Sequence, residues 1–245
     1  MDPATREVGV AGASCIGHVE MIGGLAPGHG AIAAQAMGNR AGRDRGVELL
    51  AGGASPQAVL EEIATARFDS FWGIDTSRLR QYGVAALGFE NAPAAYTGSW
   101  TFDWQGHQLG PGVSIQGNLL AGPTVVGRAL TAFTAAPPSG EGRLADRLLR
   151  ALEAGAQAGG DRRCLPAQAA LSAFLVVAAP GDALGAPSLR LIFPVDQPPP
   201  SLLRMLTGEL VQRWRRWRGE LTELSPGETE RNPVRGLRRL YQTRR

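Results

Sequence analysis

Apolar positions along the chain recur with two different periods, and the changes of period mark its elements. Residues 8–13, small and branched, read as a strand that follows a turn at Asp2-Pro3, where proline presets φ for the first corner. Residues 30–36 (GAIAAQA) read as a second strand between Gly-rich connections. Helical spacing comes next, with Val47, Leu49 and Leu50 in residues 45–51, then Val59, Leu60 and Ile63 behind Ser55-Pro56. The serine supplies an N-cap oxygen, and proline fits the first turn, whose N–H groups lack helical partners. Strand signals return at 81–87, 94–98 and 113–117. Val125, Val126, Ala129, Leu130 and Phe133 then share one helical face. Leu144, Leu148 and Leu152 recur at every fourth position ahead of a Gly159-Gly160 stop. Residues 171–179 (LSAFLVVAA) are a continuous apolar run, the pattern of a strand buried on both faces. A strand at 189–195 and a helix at 202–217, with Leu203, Leu206, Leu210, Trp214 and Trp217 on one side, complete the series.

Strands come in groups separated by pairs of helices. That order departs from the strand–helix alternation of a doubly wound sheet and fits an α+β fold of two stacked sheets with helices on their outer faces. Residues 1–200 form the domain in this reading, 201–224 a docking helix and 225–245 a basic, disordered tail. Charge sharpens the division. All 25 basic residues are arginine, a mark of codon bias before chemistry, and residues 202–245 hold 11 of them against five acids, whereas the body is mildly acidic. The high isoelectric point thus describes the end of the chain and not its fold. Arginines and tryptophans interleave at 213–218, which reads as a docking helix with solvated cations. Nucleic acid is not an expected partner.

No apolar run reaches the length of a membrane helix and the first residues hold no signal peptide, so the chain as written reads as cytoplasmic. An upstream signal would make it exported. Cys15 and Cys164 have no metal or redox spacing, and one disulfide is allowed by number alone. His18, His29 and His107 are scattered, and no phosphate-binding or dinucleotide glycine motif occurs. No metal and no cofactor are expected.

Candidate chemistry sits at strand ends. Ser14 and Cys15 close the first strand with His18 three residues on, the order of a thiolate and its base, though a buried cysteine in a Gly-rich elbow is the ordinary reading. Gln116, Gly117 and Asn118 combine amide side chains with a glycine that permits close approach. Thr97 ends another strand with a hydroxyl. Asp161 with Arg162 and Arg163 could orient a substrate carboxylate or amine, or pair locally in a solvated loop.

Several stretches carry a resemblance. They are 8–11 (VGVA) with 13–17 (ASCIG), 30–36, 80–84 (RQYGV), 96–98 (YTG), 116–123 (QGNLLAGP) and 159–163 (GGDRR). In this order, over roughly residues 2–210, the chain resembles the bacterial family DUF1028, which is grouped with the N-terminal nucleophile (Ntn) hydrolases. The resemblance implies a four-layer αββα sandwich and an amide-bond hydrolase of unknown substrate, acting on a small amide or a peptide. Gln35, Thr97, Gln116, Gly117, Asn118 and Asp161 are the expected substrate-binding positions, and a homo-oligomer is the expected assembly. An Ntn hydrolase attacks with the side chain of its first residue and uses that residue's α-amine as base. Similar chains begin with Thr, then an apolar strand, then Asp-Pro. This one begins at the Asp-Pro turn. The expectation is a start codon placed too late, a GTG valine codon within the first strand having been taken as initiator. As written, the enzyme is then inactive, its catalytic residue unknown, and residues 8–13 show an open edge. The rival reading is a binding or scaffold protein on the same fold.

Overall fold

The computed structural model describes residues 1–136, 142–164, 170–193 and 232–244. The chain runs β1 (Val8–Ser14), β2 (Gly23–Ala26), β3 (Gly30–Ala36), α1 (Arg40–Ala51), α2 (Pro56–Ile63), β4 (Ser70–Phe71), β5 (Ile74–Asp75), β6 (Arg80–Ala86), β7 (Ala94–Thr97), β8 (Gly106–Gly110), β9 (Val113–Gly117), α3 (Thr124–Thr134), α4 (Leu144–Gln157), β10 (Ser172–Ala178), β11 (Leu189–Phe193) and α5 (Pro233–Gln242). The fold is α+β, as the grouping of elements predicts. Helix starts follow local chemistry. Ser55 Oγ accepts from the Ala58 N–H to open α2, and Asn39 Oδ1 accepts from Gly42 N–H to open α1. Asn232 does the same for α5, with Pro233 in the first turn.

Among the described residues all strand pairs are antiparallel. One sheet has the order β1-β10-β11, a second β2-β3-β6-β7, and β4-β5 and β8-β9 are hairpins. The two-residue period of β10 explains how they stack. Ala173, Leu175 and Val177 pack under α3, α4 and α5, whereas Phe174 and Val176 turn toward Leu25 and Ala33 of the second sheet. That sheet buries Ile32, Ala34, Tyr82 and Val84 against Leu50 of α1 and Val59, Leu60 and Ile63 of α2. On its inner face Leu25 and Ala85 meet Val8 and Ala178. Two sheets therefore lie face to face with helices outside them. Each fully buried aliphatic side chain contributes about 1.5–3 kcal/mol.

β1 and β9 stand at the ends of their strand orders, so one edge of each has no partner among the described residues. The same helix layer covers both. Ala11, Ala13, Val113 and Ile115 belong to one cluster beneath α3 and α4. Glu7 and Asp2 form an antiparallel bridge ahead of β1, and the Met1 amine donates to Gly112 O at 2.9 Å, at the start of β9. The chain thus enters the fold between these two strands.

Three expectations change. The 225–245 tail, expected to be disordered, contains α5, whose Val234, Leu237 and Tyr241 are buried in the core. Helix and core win there because arginines occupy the outer face and three apolar side chains the inner one. β2, β8 and the β4-β5 hairpin were not predicted, since glycine-rich or two-residue strands leave no apolar alternation to read. Cys15 and Cys164 are joined in a disulfide with Cα atoms 5.7 Å apart. The helix at 202–217, with the 201–224 segment around it, lies outside the described residues. Among the described residues no helix is long and apolar enough to cross a membrane.

Candidate functional site

The site is built on one rung of the second sheet. Gln35 of β3 lies opposite Gln81 of β6, and Gln81 lies opposite Thr97 of β7. Directly opposed residues of an antiparallel sheet point to the same face. Here the face is the inner one, since Tyr82 and Ala34, one residue along, pack under the helices. The three polar side chains therefore meet between the sheets. The Gln81 Oε1 accepts from Gln35 Nε2 at 2.8 Å and from Asn118 Nδ2 at 3.4 Å. Its Nε2 donates to Thr97 Oγ1 at 3.0 Å, and to the carbonyls of Gly117 at 3.0 Å and Gly106 at 3.2 Å. Gly106 and Gly117 are paired across the β8-β9 hairpin, so one fully buried amide ties that hairpin to the sheet. Thr97 Oγ1 also hydrogen-bonds with His107 Nδ1, 2.9 Å away.

Glycine makes the approach of the hairpin fit. A Cβ at Gly83 would overlap the Gln116 amide, which lies on the bare backbone there. Gln116 Oε1 accepts from Ser114 Oγ at 2.8 Å and is apart from the Gln81 group. Arg80, one residue before Gln81, is itself fixed, donating Nε to Asp69 Oδ2 at 2.5 Å and Nη2 to Oδ1 at 3.1 Å. Burial alone would push the Asp69 carboxyl up. Hydrogen bonds from Arg80, Thr76 and Asn39, with the Arg80 charge, outweigh it and hold the group below the usual carboxylate range.

A second polar group adjoins the first. Asp161 is buried, and its carboxylate accepts from Cys15 N–H at 3.0 Å, Ser14 Oγ at 3.3 Å and Arg163 Nε at 2.9 Å. Arg163 also donates Nη2 to Ser14 Oγ at 3.1 Å. The loop after Asn118 joins the two groups. Leu119 O accepts from Arg162 N–H at 2.9 Å, Gly160 O accepts from Ala121 N–H at 3.0 Å, and Leu120 bridges Asp161. Leu119 takes a positive φ of 55°, which turns the chain from β9 into this contact.

The structure thus gathers Gln35, Thr97, Gly117 and Asn118 around Gln81, and Ser14 and Cys15 around Asp161. It leaves Gln116 outside both groups. Cys15 is corrected as a thiolate candidate, because its sulfur is bonded to Cys164, and His18 pairs with Glu20 at 3.3 Å instead. Gln81 and His107 were missed as site residues. A glutamine in an otherwise apolar strand was the available signal for Gln81, but only the register shows that it opposes both Gln35 and Thr97. The Met1 amine lies at the far end of β9 from this site. Five residues of strand separate Gly112 from Gly117, about 16 Å. Burial, then repulsion from Arg147, pushes that amine down to about 5, partly offset by Asp2.

The model of a family of unknown function, DUF1028, matches residues 1–198. The chain belongs to the DUF1028 family. The family assignment covers every residue of both polar groups and ends before the described part of α5. A DUF1028 protein from Silicibacter pomeroyi, known by crystal structure, is 24% identical, with 88% of this chain and 86% of that chain covered and a TM-score of 0.63. That likeness establishes a shared fold. No curated protein matches the chain.

Proposed function

We propose that this DUF1028 protein is an amide-bond hydrolase of the Ntn type, whose reactive residue arrives on an extended segment lying between β1 and β9. The single observation that carries this is the pair of unpartnered edges under one helix layer, with Met1 entering between them. The Asp2–Glu7 bridge sets the register of such a segment. Continued upstream in that register, the residue opposite Ser14 would be six positions before Met1, and Ser14 bonds to Asp161. A Thr, Ser or Cys there would attack the carbonyl carbon of a small amide or a peptide. Its own α-amine would take the proton and return it to the leaving nitrogen. Asn118 Nδ2, which gives one hydrogen to Gln81 Oε1 and carries a second, would donate to the developing oxyanion, whereas Gln81 spends both of its N–H groups on Thr97 and the two carbonyls. Arg163, with 34% of its side chain exposed, would hold a substrate carboxylate.

The test compares the 245-residue chain with two versions lengthened by six residues, headed by a free Thr or by Ala. All three are assayed on a panel of chromogenic amides. Turnover by the Thr-headed protein alone is expected. Equal turnover by all three would remove the reading, because the first residue would then play no part, and no turnover by any of them would leave a binding protein on this fold.

A further inference from the structure

We infer that the Cys15–Cys164 disulfide is a redox-responsive latch on the wall of the candidate site, and the inference stands whether or not the site cleaves amides. The two cysteines are 149 residues apart in sequence, and their bond joins the residue after β1 to the loop that follows α4. That loop carries Asp161 and Arg163, which grip Ser14. On its other side backbone hydrogen bonds hold it to residues 119–121. Toward β1, the described contacts of the loop are the disulfide and the Asp161 and Arg163 side chains. The Asp161 carboxylate reaches Cys15 N–H, and Cys164 N–H donates to Asp161 O at 3.1 Å. Asp161 is thus enclosed between the two sulfur-bearing residues, and the latch and the polar group share one geometry.

Access is unequal. Cys15 is buried, whereas Cys164 is half-buried in a turn. A dithiol reductant would enter at Cys164. One of its thiolates attacks the Cys164 sulfur, the Sγ–Sγ bond breaks, and Cys15 leaves as a thiolate that takes a proton. The second thiol of the reductant then displaces Cys164, which leaves two protein thiols and an oxidised, cyclic disulfide reductant. Two electrons pass from the dithiol to the protein. Once open, the loop keeps its backbone bonds to 119–121 but loses its covalent tie to β1, so Asp161 and Arg163 separate from Ser14 more readily. The core clusters contain neither cysteine, so the sheets and helices remain packed.

The latch is read by thiol titration and limited trypsin digestion, because Arg162 and Arg163 place two cleavage sites inside the loop. The oxidised full chain should show no free thiol, and dithiothreitol should release both. Reduction, and equally the double variant Cys15→Ser/Cys164→Ser, should speed cleavage after Arg162 and Arg163 by about tenfold or more with far-ultraviolet circular dichroism unchanged. Free thiols in the unreduced protein overturn the proposal. So does a loop whose cleavage rate ignores both reduction and the double variant. Loss of all secondary structure on reduction also overturns it, because the bond would then be a staple of the whole fold.

Discussion

Gln81 shows how much a single buried amide can organise. All of its hydrogen-bonding capacity is spent, on partners from β3, β7, β8, β9 and the loop after β9. Replacing it by leucine keeps the volume near enough but strands the carbonyls of Gly106 and Gly117 between the sheets. Gln81→Leu should cost about 2–4 kcal/mol. Thr97→Val, which removes one hydroxyl beside the exposed His107, should cost about 1 kcal/mol. Urea denaturation of both variants measures the difference, and similar losses would count against the central place given to Gln81. The residue types of this site were legible in the sequence. Gln35, Thr97, Gly117 and Asn118 sit at strand ends, where site residues are expected, and Asp161 follows the Gly159-Gly160 stop of α4. Their grouping was not legible, because it depends on which rung faces which, and pairing register is a property of contacts far apart in the chain.

Elements with strong periodicity were read correctly because burial imposes the period. α2, α3, α4 and β10 each turn one face, or both, into a core cluster. β8 was lost because Gly106–Gly110 has three exposed central residues, and it is a strand through its pairing with β9 and the Gln81 bond. α5 was misread for the opposite reason. Its arginines suit a solvated tail, but Leu237 is fully buried and Arg238 donates to both carboxylate oxygens of Glu153 on α4, at 2.8 and 2.7 Å. Leu237→Ala should destabilise the protein by about 2–5 kcal/mol, whereas the solvent-facing Arg235→Ala should change it by less than about 0.5 kcal/mol. Melting curves that fail to separate the two would mean that α5 adds nothing to the core.

The whole molecule brings two sheets together around polar strand ends, and its titration behaviour follows from how the chain enters between them. In the 245-residue chain burial pushes the Met1 amine down from its ordinary value of 8.0 to about 5. Between those values the unfolded chain binds the proton and the folded one does not, so stability rises with pH across that window. The penalty is complete below pH 5 and relieved above pH 8. For a buried group it can amount to up to about 4 kcal/mol. Lengthening the chain upstream converts the amine to an amide and should flatten this dependence. Melting both forms at pH 5 and pH 8 measures it, and parallel curves would show that the amine is solvated in the folded protein.

We propose that catalysis needs a reactive first residue delivered between β1 and β9 to the neighbourhood of Ser14 and Asp161. N-terminal sequencing of the protein isolated from its native cells, joined to its intact mass, tests this most directly. The account predicts a mature chain that starts upstream of Met1 with an unblocked Thr, Ser or Cys. A mature chain that starts at Met1-Asp2 contradicts it.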